Sequence, residues 1–461
     1  MVKDSYHEVV ASQPGLTGEM PRPIVVTMVG AGSFFTGSIL RDVLVIPGNK
    51  GGELRLIDVD ERRLALSEIW MKKIVEQLPN ASKWTVRAST NREDLLKGTD
   101  YIVNAIEVSG IDCVRFDNDI PLEFGISQCI GDTVGPGGLF KALRTIPVWL
   151  EILRDVERLC PNAQILNYTN PMNMMCLAAA RETNTKVVGL CHSVQGTSKM
   201  LAGFAEVDYI DMKWQCAGIN HLAWFTELRD AKGNDLYEIL FKKAMDRESE
   251  FAKAEPVRTD MMLHFGAFIT ESSGHLSEYL PYYRTRPELI EKYTDTGYRG
   301  EESFYANNWP TWRKGQDESR QKQIDGTDPI SFERSHEYGA WIIEAIEKNQ
   351  PIVIHGNVAN TDGLISNLPH DGCVEVACLV DRNGVQPTRS GKLPKQMAAI
   401  CTLDMLCFDL GTDAAIHKSK TLAEQALMLD PLTAAVCCPA EIREMARRMF
   451  EAEADFLPGF K

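Results

Sequence analysis

A strand, a glycine turn and a helix follow one another without a gap near the start of this chain, and no other feature restricts its fold as much. Ile24-Val25-Val26-Thr27-Met28-Val29 is an apolar, β-branched run suited to a strand buried on both faces. Gly30-Ala31-Gly32-Ser33 comes next, and helical spacing then continues to Val45, where Pro47 and Gly48 stop it. The same rhythm repeats. Residues 53–60, 85–88, 101–105, 164–168 and 186–190 read as further short strands. Residues 61–77 and 138–158 between them carry helical spacing. Strands alternating with helices at this interval predict a parallel α/β sheet whose ligands bind at the carboxyl ends of the strands.

The fold class expected is therefore α/β: an N-terminal Rossmann-type parallel sheet over residues 21–195, followed by a mixed α+β part over residues 196–461. Residues 1–20 are polar and irregular, lack the apolar core of a signal peptide, and read as a flexible extension. A length of 461 residues fits two such parts. A formal net charge of -15 and the absence of a basic stripe argue against a nucleic-acid partner. No apolar run is long enough to span a membrane. The 12 Cys are scattered without disulfide-like spacing, which reads as reduced thiols in the cytoplasm.

Gly30 and Gly32 would let the backbone approach a pyrophosphate, with Ala31 and Ser33 completing the turn and the helix start stabilising the anion. Phe35 stands where the third glycine of the dinucleotide fingerprint is expected, and Gly37 comes two residues later. Asp58, at the end of the second strand, is placed to hold ribose hydroxyls, which favours NAD over its phosphorylated relative. Asn104 and Glu107 end the fourth strand and would lie further along the same crevice.

Four more segments are dense in Gly, Asn, Cys or His: residues 131–138 with Asp132, 167–172 with Asn170, 189–196 with Cys191 and His192, and 218–221 with His221. Asp132 is either a helix cap or a carboxylate at a ligand. Asn170 is either a turn residue or a hydroxyl binder. Cys191 and His221 are either buried core or two ligands of an open divalent-metal site. A polar and aromatic cluster over residues 271–283, including Tyr279, could supply a base or stack on a sugar.

Taken in order, VGAGS, GDTVGPGG, LNYTNPM, GLCHSVQGT, GINH, EYLPYY and GNVANTDGLISNLP resemble the family 4 glycoside hydrolases, from about Pro23 to residues 457–459. The CHSVQGT form resembles their α-galactosidases. The resemblance implies a fold related to lactate and malate dehydrogenases, with catalysis and oligomerisation in the C-terminal part. It implies bound NAD, a divalent metal (manganese) held by Cys191 and His221, substrate binding by Asn170, a catalytic base at Tyr279 and a supporting acid at Asp132. His192 occupies the place of an acidic proton donor in the phospho-glycosidases, so it either donates a proton or binds a hydroxyl. The chemistry implied is oxidation at carbon 3 of a terminal α-galactoside, proton removal at carbon 2, elimination, water addition and re-reduction. The resemblance also implies a homo-oligomer.

Three alternatives remain. A 2-hydroxyacid dehydrogenase would need a His/Asp pair and a carboxylate-binding Arg that the expected loops lack. A non-catalytic NAD-binding protein would not need Cys191, His221 and Tyr279 together. An α-glucosidase or uronidase of the same family differs only in the sugar.

Overall fold

The computed structural model describes residues 14–461. The six expected strands form as β1 (Ile24–Val29), β2 (Gly52–Ile57), β3 (Trp84–Ser89), β4 (Tyr101–Asn104), β5 (Gln164–Asn167) and β6 (Lys186–Gly189). All five pairings among them are parallel. Their register is in phase: Val29 is level with Ile57 and Asn104, Asn104 with Asn167, and Asn167 with Gly189. The carboxyl ends therefore finish along one line, and the loops that follow them share one edge.

The second half does not form a separate sheet. β7 (Lys213–Ile219), β8 (Leu222–Arg229), β9 (Phe268–Ile269), β10 (Ile352–Ala359), β11 (Cys373–Asp381) and β12 (Gly384–Pro387) continue the first one. The order is β3-β2-β1-β4-β5-β6-β10-β11-β7-β8-β9, with β12 on β11, and every added pairing is antiparallel. The join to β6 is the single pair Asn357–Gly189, two residues from Cys191.

Six helices position the site: α1 (Phe35–Leu44), α2 (Glu61–Glu76), α3 (Gly135–Leu159), α4 (Ser193–Phe204), α5 (Ser273–Tyr279) and α6 (Phe304–Asp325). Four of them, α1 to α4, follow strands of the parallel half. Gly37 of α1 faces Trp70 of α2, where an added Cβ would lie 1.7 Å from the indole ring. This glycine lets α1 pack closely on α2, while Phe35 holds the place of the third fingerprint glycine. At its start, α6 is tied to the loop before Asp132, by Ser303 N–H to Gln128 O (2.7 Å) and Tyr305 N–H to Cys129 O (2.9 Å). Further along it meets α2, through Asp317–Arg63 (2.8 Å) and Gln323–Trp70 Nε1 (2.8 Å).

One structural expectation needs correcting. Residues 1–13 of the expected extension lie outside the described residues, but residues 14–20 are docked. Leu16 donates its N–H to Glu344 and accepts from Lys348 Nζ, each at 2.8 Å, and Met20 is buried. An apolar side chain and a paired backbone make this segment part of the fold. Among the described residues no helix is long and apolar enough to cross a membrane, and all 12 Cys are free.

Candidate active site

One cavity of about 1790 Å³ runs along the shared strand edge. Pockets for one small ligand occupy roughly 300–1,000 Å³, so this one has room for two. One end is lined by Gly30, Gly32, Ser33 and Asp58, and the other by Asp132, Asn170, Cys191, His192, His221 and Glu271.

At the first end Gly30 has φ +84°, and a Cβ there would lie 2.4 Å from the Ala105 carbonyl. Only glycine leaves the backbone this close to β4. Ala31 is buried beneath the turn, its carbonyl accepting from Thr36 and Ser67 (2.8 Å each). Asp58 accepts Gly32 N–H (2.6 Å) and Asp60 N–H (2.9 Å), and so pins the turn while facing the cavity. A carboxylate has further lone pairs to offer a ribose hydroxyl. Asn104 departs from expectation. It is fully buried, and its amide donates to Asn167 (2.8 Å) and Thr169 (3.1 Å), so it braces strand ends beneath the cavity and is not on the wall.

Beside Asp132 stands a buried charged set in which Lys141 alone was not singled out by the sequence. Lys141 of α3 is buried between Glu107 (2.7 Å) and Asp132 (3.7 Å). Burial works against its ammonium, but the two carboxylates outweigh that and hold its pKa above the ordinary value. Burial likewise opposes charge on Asp132; Lys141, His275 and bonds from Thr133 and Asn170 prevail, and its pKa falls to about 2. Asp132 is thus a fixed anion, and Asn170 Nδ2 donates to it at 3.1 Å.

At the far end Cys191 Sγ lies 3.3 Å from His221 Nε2, which is 3.5 Å from Glu271 Oε2. These three donor atoms lie within 4.8 Å of one another. Glu271 completes a set of which the sequence offered two members. Both His221 (φ +64°) and Glu271 (φ +72°) hold left-handed backbone, a strain that side chains other than glycine adopt only where the surroundings enforce it. Burial and Glu271 push the Cys191 thiol up to about 11. A thiolate, an imidazole and a carboxylate with open positions are a suitable donor set for a divalent cation.

Tyr279 is fully buried, and its hydroxyl faces His221 Nδ1 at 3.4 Å without contributing to the cavity wall. Burial, then Asp404, Asp132, Glu271 and Glu278, hold its phenol well above the usual range. His192 sits at the rim, its side chain 68% exposed and 3.6 Å from Glu337. The structure thus pairs Asp132 with Asn170 and Cys191 with His221 on one cavity, with Tyr279 behind His221 and His192 at the mouth.

A Rossmann-type half fused to an antiparallel extension, with a glycine turn and a Cys/His/Glu cluster on one cavity, defines a class of nucleotide-binding enzyme. The family is fixed by comparison. Residues 25–207 match the model for family 4 glycosyl hydrolases and residues 216–433 the model for their C-terminal domain, and the chain belongs to that family. It is 37% identical to an α-galactosidase of Bacillus subtilis, over 95% of this chain and 99% of that one. It is 35% identical to an α-galactosidase of Rhizobium meliloti, over 94% and 89%. The crystal structure of a 6-phospho-α-glucosidase from gut microorganisms in complex with NAD and Mn²⁺ shares the fold, with a TM-score of 0.78 at 23% identity over 95% of this chain and all of that one.

Proposed function

We propose that this family 4 glycosidase hydrolyses terminal α-galactosides with bound NAD and a divalent metal, manganese being the metal expected. The observation that carries the reading is the single cavity joining the Gly30–Gly32 turn to the Cys191, His221 and Glu271 donors. The relatives named α-galactosidase at 35% and 37% identity favour galactose over the glucose and galacturonate of more distant members.

The residues present fit both groups. At Gly30 a Cβ has no room against the Ala105 carbonyl, so only glycine keeps the tight turn that would carry a pyrophosphate, and Asp58, beside that turn, has lone pairs to offer a ribose. When bound, NAD supplies a reversible hydride acceptor, and the cation a Lewis acid for sugar oxygens.

The chain's own residues then divide the work. Cys191, His221 and Glu271 hold the cation. Asn170, oriented by Asp132, donates to a sugar hydroxyl. We assign removal of the carbon 2 proton to Tyr279 Oη, whose phenol burial and its carboxylate neighbours hold above the usual range. Asp132 and Glu107, balanced by Lys141, set the potential at the centre of the cavity. His192, at the rim, meets the leaving group or an outer hydroxyl. Ordinary glycosidases use two carboxylates across the scissile bond, and NAD-dependent members of family 4 stand outside that scheme.

The twelve unpaired cysteines support a reducing, cytoplasmic setting. A homo-oligomer is part of the reading; exposed Leu403, Leu406 and Leu429 offer apolar surface for it, and light scattering in solution measures it.

The test is hydrolysis of p-nitrophenyl α-galactoside beside the α-glucoside and α-galacturonide, each with NAD, manganese and thiol present and omitted in turn. Galactoside cleavage that disappears without NAD or metal is expected. Preference for another sugar would overturn the substrate, and cleavage surviving complete removal of NAD and metal would overturn the chemistry.

A further inference from the structure

Where α6 crosses the cavity, Trp309, Arg313 and Asp317 follow one another at helical spacing along its wall. Arg313 is half-buried, and among the described residues its guanidinium has no hydrogen bond and no ion pair. None of its nitrogens is closed off by protein. It lies against the loop after β4. A Cβ added at Gly110, which holds φ +61°, would be 2.7 Å from Arg313 Nη1. Gly110 lines the same cavity, and as a glycine it leaves the guanidinium its place.

Two other guanidiniums at the glycine turn have their acceptors inside the chain. Arg63 donates to Asp317 (2.8 Å) and to the Gly32 carbonyl. Arg320 donates to the carbonyls of Gly32 (3.1 Å) and Ser33. Burial and then Arg313 press the pKa of Arg63 down, and burial and then Arg63 bring that of Arg320 to about 10. The carboxylates beside them are engaged. Asp58 accepts the N–H groups of Gly32 and Asp60, Asp60 accepts Arg63 N–H (3.0 Å), and Asp317 pairs with Arg62 and Arg63. A guanidinium carries five N–H donors in a planar fork suited to phosphate oxygens. Arg313, beside two like charges and without an acceptor of its own, calls for an anion from outside the chain.

We propose that Arg313 binds the pyrophosphate of the bound dinucleotide, completing from α6 the phosphate site that the Gly30–Ser33 turn and the start of α1 begin. The proposal rests on the NAD reading. The turn belongs to the Rossmann half, whereas α6 falls within residues 216–433, matched by the C-terminal domain of the family. The cofactor is thereby held by both halves, and Arg313 is a positioning residue for it. Fixing the pyrophosphate from both sides sets how far the nicotinamide end reaches along the cavity.

The experiment is calorimetric titration of the manganese-loaded protein with NAD, ADP, NADP and adenosine, for the wild type, Arg313→Gln and Arg313→Lys. NAD and ADP should bind the glutamine variant about tenfold or more weakly, with a smaller dependence on salt. Adenosine, which has no phosphate, should bind all three proteins alike. Lysine restores the charge without the planar fork and should recover part of the loss. Equal weakening of adenosine and NAD, or NAD affinity and salt dependence unchanged in the glutamine variant, would overturn the proposal. So would a loss confined to NADP, because the guanidinium would then serve a phosphate on the ribose. If the wild type binds no dinucleotide, the NAD reading has failed and the proposal with it.

Discussion

At the scale of single residues, the site depends on buried charges whose partners are all within the chain. Glu278 is the clearest case, because one carboxylate holds the Asp132 loop, the His275 ring and the helix of Tyr279 together. Glu278→Gln keeps the shape but removes the charge that three N–H groups and an imidazole share. Bonds to a charged group contribute roughly 1.5–3 kcal/mol each, so a loss of about 2–4 kcal/mol is expected in chemical denaturation. Its folded pKa lies below the ordinary 4.5, so its stabilisation is present above that value and is lost as pH falls through the folded pKa. The wild type should therefore lose stability on acidification below about pH 4.5 more steeply than the Gln variant. Parallel acid profiles of the two proteins would contradict this. None of these partnerships was legible in the sequence. Glu271, His275 and Glu278 stood in one polar segment, but which of them turn inward depends on contacts with residues 128–131 and 191–221. Cys191 and His221 emerged because their motifs are distinctive. The outward turn of His192 and the burial of Asn104 are side-chain orientations, which no motif encodes.

At the scale of elements, the parallel half was legible strand by strand. Most of these strands are short apolar runs closed by Gly, Asn or Asp, and the stretches up to Val45, over 61–77 and over 138–158 carry helical spacing. Local pattern and topology agree there. The added half was not legible as part of the same sheet, since β10 joins β6 through one pair of residues about 170 positions apart in the chain. Pairing over such separation leaves no local pattern. The glycine turn is where sequence and packing agree most closely, and it gives a direct test. Gly30→Ala places a methyl against the Ala105 carbonyl at positive φ. The strain, about 1–3 kcal/mol, would displace the turn from the pyrophosphate path. NAD should bind about tenfold or more weakly by fluorescence titration, while manganese binding stays within twofold. Unchanged NAD affinity would mean that this turn is not the cofactor's cradle.

At the scale of the whole molecule, one cavity serves both ligands and α6 spans it. The helix is tied to the Asp132 side at its start and to Gly32 and α2 near its end, through Arg320 to the Gly32 carbonyl (3.1 Å) and Arg63 to Asp317. Ligands that fill such a cavity stabilise the folded state by mass action, about 2.7 kcal/mol at a hundred times the dissociation constant. Saturating NAD should therefore raise the melting temperature of the entire chain in one transition, monitored by calorimetry. A rise confined to one of two transitions would show that the two halves unfold independently despite the shared sheet.

The central claim is that glycoside cleavage proceeds through proton removal at carbon 2, assigned to Tyr279 behind this cavity. Its most direct measurement is hydrolysis of the α-galactoside in deuterium oxide, with the galactose analysed by NMR. The account predicts deuterium at carbon 2 of the product, and loss of that exchange together with hydrolysis in Tyr279→Phe. Galactose released with its original hydrogen at carbon 2 would contradict it.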